Sequence, residues 1–320
     1  MRDILKTIVQ RDDVKYVIGY KTGSYGWRVA PAFARTPEEV DELIFSPLCV
    51  NNLATYLVTE QRNPLPEAKK EAGKKIGIVA KGCDARAIGV ILQEHGMARE
   101  QVIIIGVPCR GVIDPAKMRQ KFGEVVERVT VEECDDTYLV SIGGVLSEIA
   151  KAELLSEACA ACRYPTPLLY DTLIGEPIDA HPRPNSAVAE LSAASLAERR
   201  DFWKTRFDRC LRCYACRNIC PICNCEECMA EAFEPTWIRR SVNTSENTAY
   251  HIMRAFHMAG RCVTCGMCEK ACPVGIPLTT LYQKVEQDVL ELFDYTAGIN
   301  PAAEPLLSVF DVNDPDDGIL

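Results

Sequence analysis

Cys210-Leu211-Arg212-Cys213-Tyr214-Ala215-Cys216-Arg217-Asn218-Ile219-Cys220-Pro221 is answered later in the chain by Cys262-Val263-Thr264-Cys265-Gly266-Met267-Cys268-Glu269-Lys270-Ala271-Cys272-Pro273. Both stretches read Cys-x2-Cys-x2-Cys-x3-Cys-Pro, the spacing with which a chain ligates paired 4Fe–4S cubes. Three thiolates on one tight turn reach three irons of one cube, and the fourth points away to the other. The pattern therefore places Cys210, Cys213, Cys216 and Cys272 on a first cluster. It places Cys220, Cys262, Cys265 and Cys268 on a second. Pro221 and Pro273 turn the chain after each fourth ligand. Structural zinc takes four ligands in two separated pairs, a demand that two complete runs of four exceed.

The chain has 320 residues, 48% hydrophobic and 25% charged, a globular balance that suggests two domains. A net charge of −9 argues against a general nucleic-acid footprint, which needs clustered Lys and Arg. The first residues lack a signal-peptide layout, and the longest clear apolar run is of core-strand length. No membrane insertion is expected. With 17 cysteines bunched rather than spread, the composition reads as a cytoplasmic chain whose thiolates hold metal, not as a disulfide framework. Cys49 and Cys134 read as buried small hydrophobes.

Outward from the runs, residues 1–155 read as alternating strands and helices, an α/β domain with a mostly parallel sheet. Strands are expected at 16–20, 76–80 and 102–107. Helices are expected at 37–45, at 51–61 and onward from Asp84 as a cap. Five prolines between Tyr164 and Pro184 mark irregular chain, so 156–200 reads as a Pro-rich linker and a connecting helix from Ala187 to about Phe207. Residues 201–295 form an α-helical dicluster ferredoxin domain with helices at 248–259 and 278–293. Residues 296–320 form an acidic tail, mobile over 311–318.

A second set of thiols is subtler. Cys83 and Cys109 each follow an expected parallel strand, and sites in open α/β sheets form outside the carboxyl ends of strands. Cys159-x2-Cys162 opens the irregular segment and can fold back to that edge. A third iron–sulfur cluster on Cys83, Cys109, Cys159 and Cys162 is the sharp reading, with zinc or unligated thiols left open. Lys81, Arg86 and Arg110 are placed to offset its charge. Cys223, Cys225 and Cys228 form a dense Cys-x-Cys-x2-Cys. It fits a further iron–sulfur cluster, a zinc ion or a shield for the adjacent cube, and no ligand set is chosen.

With 41 residues between Cys220 and Cys262, the second run is too remote for a compact bacterial ferredoxin. The stretches 261–268 and 272–278 resemble the α-helical ferredoxins of heterodisulfide reductase C subunits and of the iron–sulfur subunit of succinate dehydrogenase. That resemblance spans roughly residues 205–290. Ala80-Lys81-Gly82-Cys83-Asp84-Ala85-Arg86-Ala87, with Pro108-Cys109, resembles the beta-subunit family of deazaflavin-reducing hydrogenases, which has dehydrogenase and heterodisulfide-reductase-linked relatives. Tyr170-Asp171-Thr172-Leu173-Ile174-Gly175-Glu176 fits the dicluster relatives. This second resemblance covers most of residues 1–230 and implies that the N-terminal part can belong to a flavin-bearing subunit that exchanges hydride with deazaflavin. No flavin site is carried over, because no Gly-x-Gly-x-x-Gly follows a strand. Gly19, Gly23 and Gly26 are spaced as a turn.

The sequence thus expects an electron-transfer subunit of a cytoplasmic multi-subunit redox complex. It would relay electrons between a flavoprotein or dehydrogenase subunit and a heterodisulfide-reductase-like module. The alternative is a flavin-bearing reductase subunit transferring hydride to or from deazaflavin or nicotinamide. A metal-scaffolded interaction protein ranks third. No catalytic residue is assigned: haem, P-loop, triad and zincin motifs are absent, and His251 and His257, six apart in an expected helix, do not share a face.

Overall fold

A computed structural model describes residues 1–62, 73–225 and 227–306 of the chain. Its main sheet holds six strands: β1 (Val14–Thr22), β2 (Val29–Ala34), β3 (Leu43–Ile44), β4 (Lys75–Ala80), β5 (Val102–Gly106) and, after a meander, β9 (Thr172–Leu173). The order is β2-β1-β4-β5-β9, with β3 also on β1. β1, β4, β5 and β9 run parallel, while β2 and β3 pair antiparallel with β1. Apart from Lys75 at the start of β4, both β4 and β5 are apolar and buried almost throughout, as strands covered on both faces must be.

The helix Gly82–Gln93 crosses from β4 to β5. Asp84 stands at its third position rather than before it. Its carboxylate accepts from the backbone N–H groups of Lys81 at 2.8 Å and Leu53 at 3.1 Å, so it clamps both the helix start and the preceding loop. Gly82 admits no side chain: a Cβ there would lie 1.8 Å from the carbonyl oxygen of Tyr164. Of the glycines expected to form a turn, Gly23 and Gly26 lie in the 23–28 loop, while Gly19 lies within β1, paired with Ala32. The Gly23 N–H donates to the Arg28 carbonyl at 2.7 Å, and Gly26 takes φ +60°.

Several boundaries differ from the sequence reading. The helix expected over 37–45 is Pro37–Asp41, capped by Thr36, because Leu43 and Ile44 pair with β1 instead. The next helix begins at Thr55, not Asn51. An antiparallel meander of β6 (Val129–Glu133), β7 (Thr137–Ile142) and β8 (Val145–Ala150) was not anticipated. Its signal is the alternation that buries Val129, Val131, Tyr138 and Val140, with Gly143-Gly144 at positive φ in the turn. The proline-rich segment is not merely a crossing, since β9 extends the parallel sheet at β5. The single helix expected over 187–207 is two, Ser186–Ala193 and Leu196–Asp208, separated where Ser195 and Glu198 form a capping box.

In the C-terminal region the helices Thr244–Met258 and Leu278–Phe293 flank the second cysteine run. One buried cluster runs through Ile78 and Ile88 of the sheet layer into Phe207, Met258 and Tyr282. Among the described residues no helix is long and apolar enough to cross a membrane. The tail expected to be mobile over 311–318 lies outside the described residues.

Candidate iron–sulfur centres

The two runs fold alike. In the first, Arg212 and Tyr214 take φ of 52° and 57°; in the second, Thr264 and Gly266 take 52° and 72°. Left-handed backbone at alternate positions is costly for residues other than glycine and marks a functional constraint. Here it curls each loop, and a single-turn helix follows, Ala215–Asn218 or Met267–Lys270. These two helices pack on each other, which sets the runs side by side. The opening sulfur of each run accepts a backbone N–H two residues on: Arg212 to Cys210 at 3.4 Å and Thr264 to Cys262 at 3.3 Å. Ile276 N–H donates likewise to Cys272 at 3.4 Å. Such bonds hold thiolates in place and help set cluster potentials.

Cys272 lies close enough to Cys210 and Cys216 to act electrostatically on both, and Cys213 does so on Cys210. Cys220, by contrast, lines one small cavity with Cys262, Cys265 and Cys268. The fold therefore brings each fourth cysteine to the opposite run. Burial pushes the Cys210, Cys216, Cys262 and Cys265 thiols up, and that of Cys268 to about 12. Buried thiolates need cations, and iron supplies them by taking the deprotonated sulfur.

Sequence reasoning missed the side chains around these sulfurs. His251 is buried, stacked on Phe207 with ring centroids 4.5 Å apart, and its Nε2 lies 3.4 Å from Cys210 Sγ. Burial holds its pKa down at about 4, so the imidazole is neutral at physiological pH. Tyr250 OH lies 3.6 Å from Cys216 Sγ. Both sit on Thr244–Met258, whose buried face also carries Asn247 and Arg254. His257, on the same helix, is exposed.

Cys83, Cys109, Cys159 and Cys162 line one cavity of about 520 Å³ at the carboxyl edge of β4 and β5. The Cys109 and Cys159 sulfurs accept the N–H groups of Gly111 and Val112, each at 3.4 Å. The Cys109 N–H donates to the Pro165 carbonyl at 2.9 Å, closing the proline-rich segment over the site. Burial pushes Cys109 up to about 12 and raises Cys83 and Cys162. Lys81 is buried and paired with Asp84 at 3.0 Å, Arg86 is buried, and Arg110 is half exposed, 3.9 Å from Asp135. Cys265 of the second run lines this cavity too. A Cβ on Gly266 would lie 2.7 Å from Ala158, next to Cys159, which shows how closely the two sites abut.

Cys223, Cys225 and Cys228 share a cavity of about 480 Å³ with Cys220 but differ in surroundings. Cys223 is half-buried, 3.4 Å from an Arg254 nitrogen, whereas Cys225 is exposed. Among the described residues, no three His, Cys, Asp or Glu side chains stand close enough for a single metal ion. Cys49 is fully buried, but Cys134 is exposed in the β6–β7 turn, so reading it as a buried hydrophobe was wrong.

The 4Fe-4S dicluster domain family matches residues 206–276. The chain is 24% identical to the F420-dependent formate dehydrogenase subunit beta of Methanocaldococcus jannaschii, over 96% of this chain and 93% of that protein. It is 23% identical to the F420-dependent formate dehydrogenase 1 subunit beta of Methanococcus maripaludis, over 95% and 91%. A chain of the F420-reducing NiFe hydrogenase complex from Methanosarcina barkeri is 15% identical with a TM-score of 0.40. That match covers 51% of this chain and 58% of the hydrogenase chain, a little over half its length.

Proposed function

From a chain that carries a 4Fe–4S dicluster domain and is similar along nearly its whole length to deazaflavin-linked beta subunits, we infer an iron–sulfur electron-transfer subunit of a multi-subunit redox complex. The proposed wire has three cubes. Cys83, Cys109, Cys159 and Cys162 hold one, Cys220, Cys262, Cys265 and Cys268 the next, and Cys210, Cys213, Cys216 and Cys272 the last. The observation that carries this reading is Cys265, which lines both the second quartet's cavity and the N-terminal one. Adjacent centres allow electrons to hop without any protein group changing its bonding. Cys213 is exposed, so the last cube meets the surface where a partner subunit docks. The proposed partners are a flavoprotein or dehydrogenase subunit at one end and a heterodisulfide-reductase-like module at the other, in the cytoplasm.

The chain's own residues do two things here: they supply deprotonated sulfur, and they donate N–H bonds to it. Iron supplies the one-electron chemistry when bound.

A second reading has one observation in its favour. A cavity of about 480 Å³ opens beside Cys109 at the carboxyl edge of the sheet, between Phe45, Pro47, Val107 and Gly175. A flavin held there would make the chain a reductase subunit. Absorption of anaerobically purified protein separates the two. A broad band near about 400 nm, with no flavin released on denaturation, is expected for the relay. One flavin released per chain would replace the relay with the reductase.

A further inference from the structure

Arg254 lies on Thr244–Met258 and is 7% exposed. Its guanidinium donates to Tyr282 OH, to the Cys216 carbonyl at 3.1 Å and to Cys223 Sγ at 3.4 Å. Its Nε is buried and has no hydrogen-bond partner among the described residues. Its neighbours in charge are a phenol and the thiols of Cys223, Cys220 and Cys268, and no carboxylate lies among these. Lys81 is matched by Asp84 and Arg261 by Glu94, while the buried Arg86 and Arg212, like Arg254, donate to backbone carbonyls.

A guanidinium taken out of water without a counter-charge is costly. The position of Arg254 shows what balances it. Cys216 belongs to the first proposed quartet, Cys220 and Cys268 to the second, and the side chain stands between them. Four thiolates leave a 4Fe–4S cube net negative, and each added electron makes it more so. A fixed, desolvated cation beside two such cubes stabilises the reduced form of each over the oxidised form, and the low dielectric strengthens the effect.

We propose that Arg254 is the shared counter-charge of the two ferredoxin-type centres and holds both reduction potentials up. It touches no substrate and is a positioning and tuning residue. Cys223, outside both quartets, accepts from the guanidinium at 3.4 Å. The proposal rests on the ligand sets assigned above, and the iron content of each variant tests those sets separately.

The test uses the full chain loaded with iron and sulfide, as the Arg254→Gln and Arg254→Lys variants, with potentials read by EPR-monitored redox titration. Arg254→Gln is expected to keep the iron content of the unsubstituted chain and to shift the reduced-to-oxidised ratio of both centres at least about tenfold toward oxidised. That is about 59 mV lower for a one-electron couple. Arg254→Lys keeps the charge and is expected to stay within half of that shift. If Arg254→Gln fails to hold clusters while Arg254→Lys holds them at normal potentials, the need for charge at this position is upheld. Unchanged potentials in a fully loaded Arg254→Gln protein would overturn the proposal. So would a shift of one centre only, or a lysine variant that behaves like the glutamine one or loses its clusters.

Discussion

Cys272→Ser is expected to damage the cluster held by Cys210, Cys213 and Cys216 and to leave the one beside Cys262 intact. A ligand map drawn by sequence proximity gives the opposite result, so the effect is large and its sign is diagnostic. The physical basis is the packing of the two single-turn helices, which sets the runs side by side with Cys272 next to Cys210 and Cys216. A serine hydroxyl ligates iron poorly at neutral pH, so this cube should lose one iron or be lost, a fall of up to about four irons per chain. Iron analysis with EPR of the reduced protein reads both outcomes. A change confined to the Cys262 cluster would reject the exchanged ligation.

The double variant Cys83→Ser with Cys109→Ser has the second large expectation. It should remove about four irons while the two ferredoxin-type signals persist. The four N-terminal thiols ring a cavity of about 520 Å³ and are raised by burial where a shift is resolved. Assembling them as thiolates without a cation sets like charges together in a poorly solvated place. Two come from the carboxyl edge of the sheet and two from the start of the proline-rich linker, which a metal centre would tie to the sheet. If the double variant keeps its full iron, or if the unsubstituted chain never holds more than about eight, the N-terminal centre does not exist.

What the sequence made legible follows from how local each signal is. The cysteine runs state their own geometry, because a cube fixes which thiols a short loop can offer. β4 and β5 were legible because strands buried on both faces must be apolar throughout. Cys83 and Cys109 could be placed on one edge because parallel strands end together. Less visible was everything that depends on chain segments meeting from afar. Leu43 and Ile44 continue an acidic helix pattern and become strand only because β1 offers them an edge. The β6–β8 meander hides in short, half-polar strands whose alternation is weak on its exposed face. His251 and Arg254 look like ordinary helix residues, and only the fold shows that they face sulfur. The left-handed Arg212, Tyr214 and Thr264 have no sequence signal, since only Gly266 of that set announces the conformation.

The most direct test of a three-centre wire is iron anomalous scattering from crystals of the anaerobically purified full chain. The account predicts three separate iron densities: one among Cys210, Cys213, Cys216 and Cys272, one among Cys220, Cys262, Cys265 and Cys268, and one among Cys83, Cys109, Cys159 and Cys162. The middle density should lie nearest Cys265 on its N-terminal side. Two densities only, or iron at the first run bonded to Cys220 rather than Cys272, would contradict it.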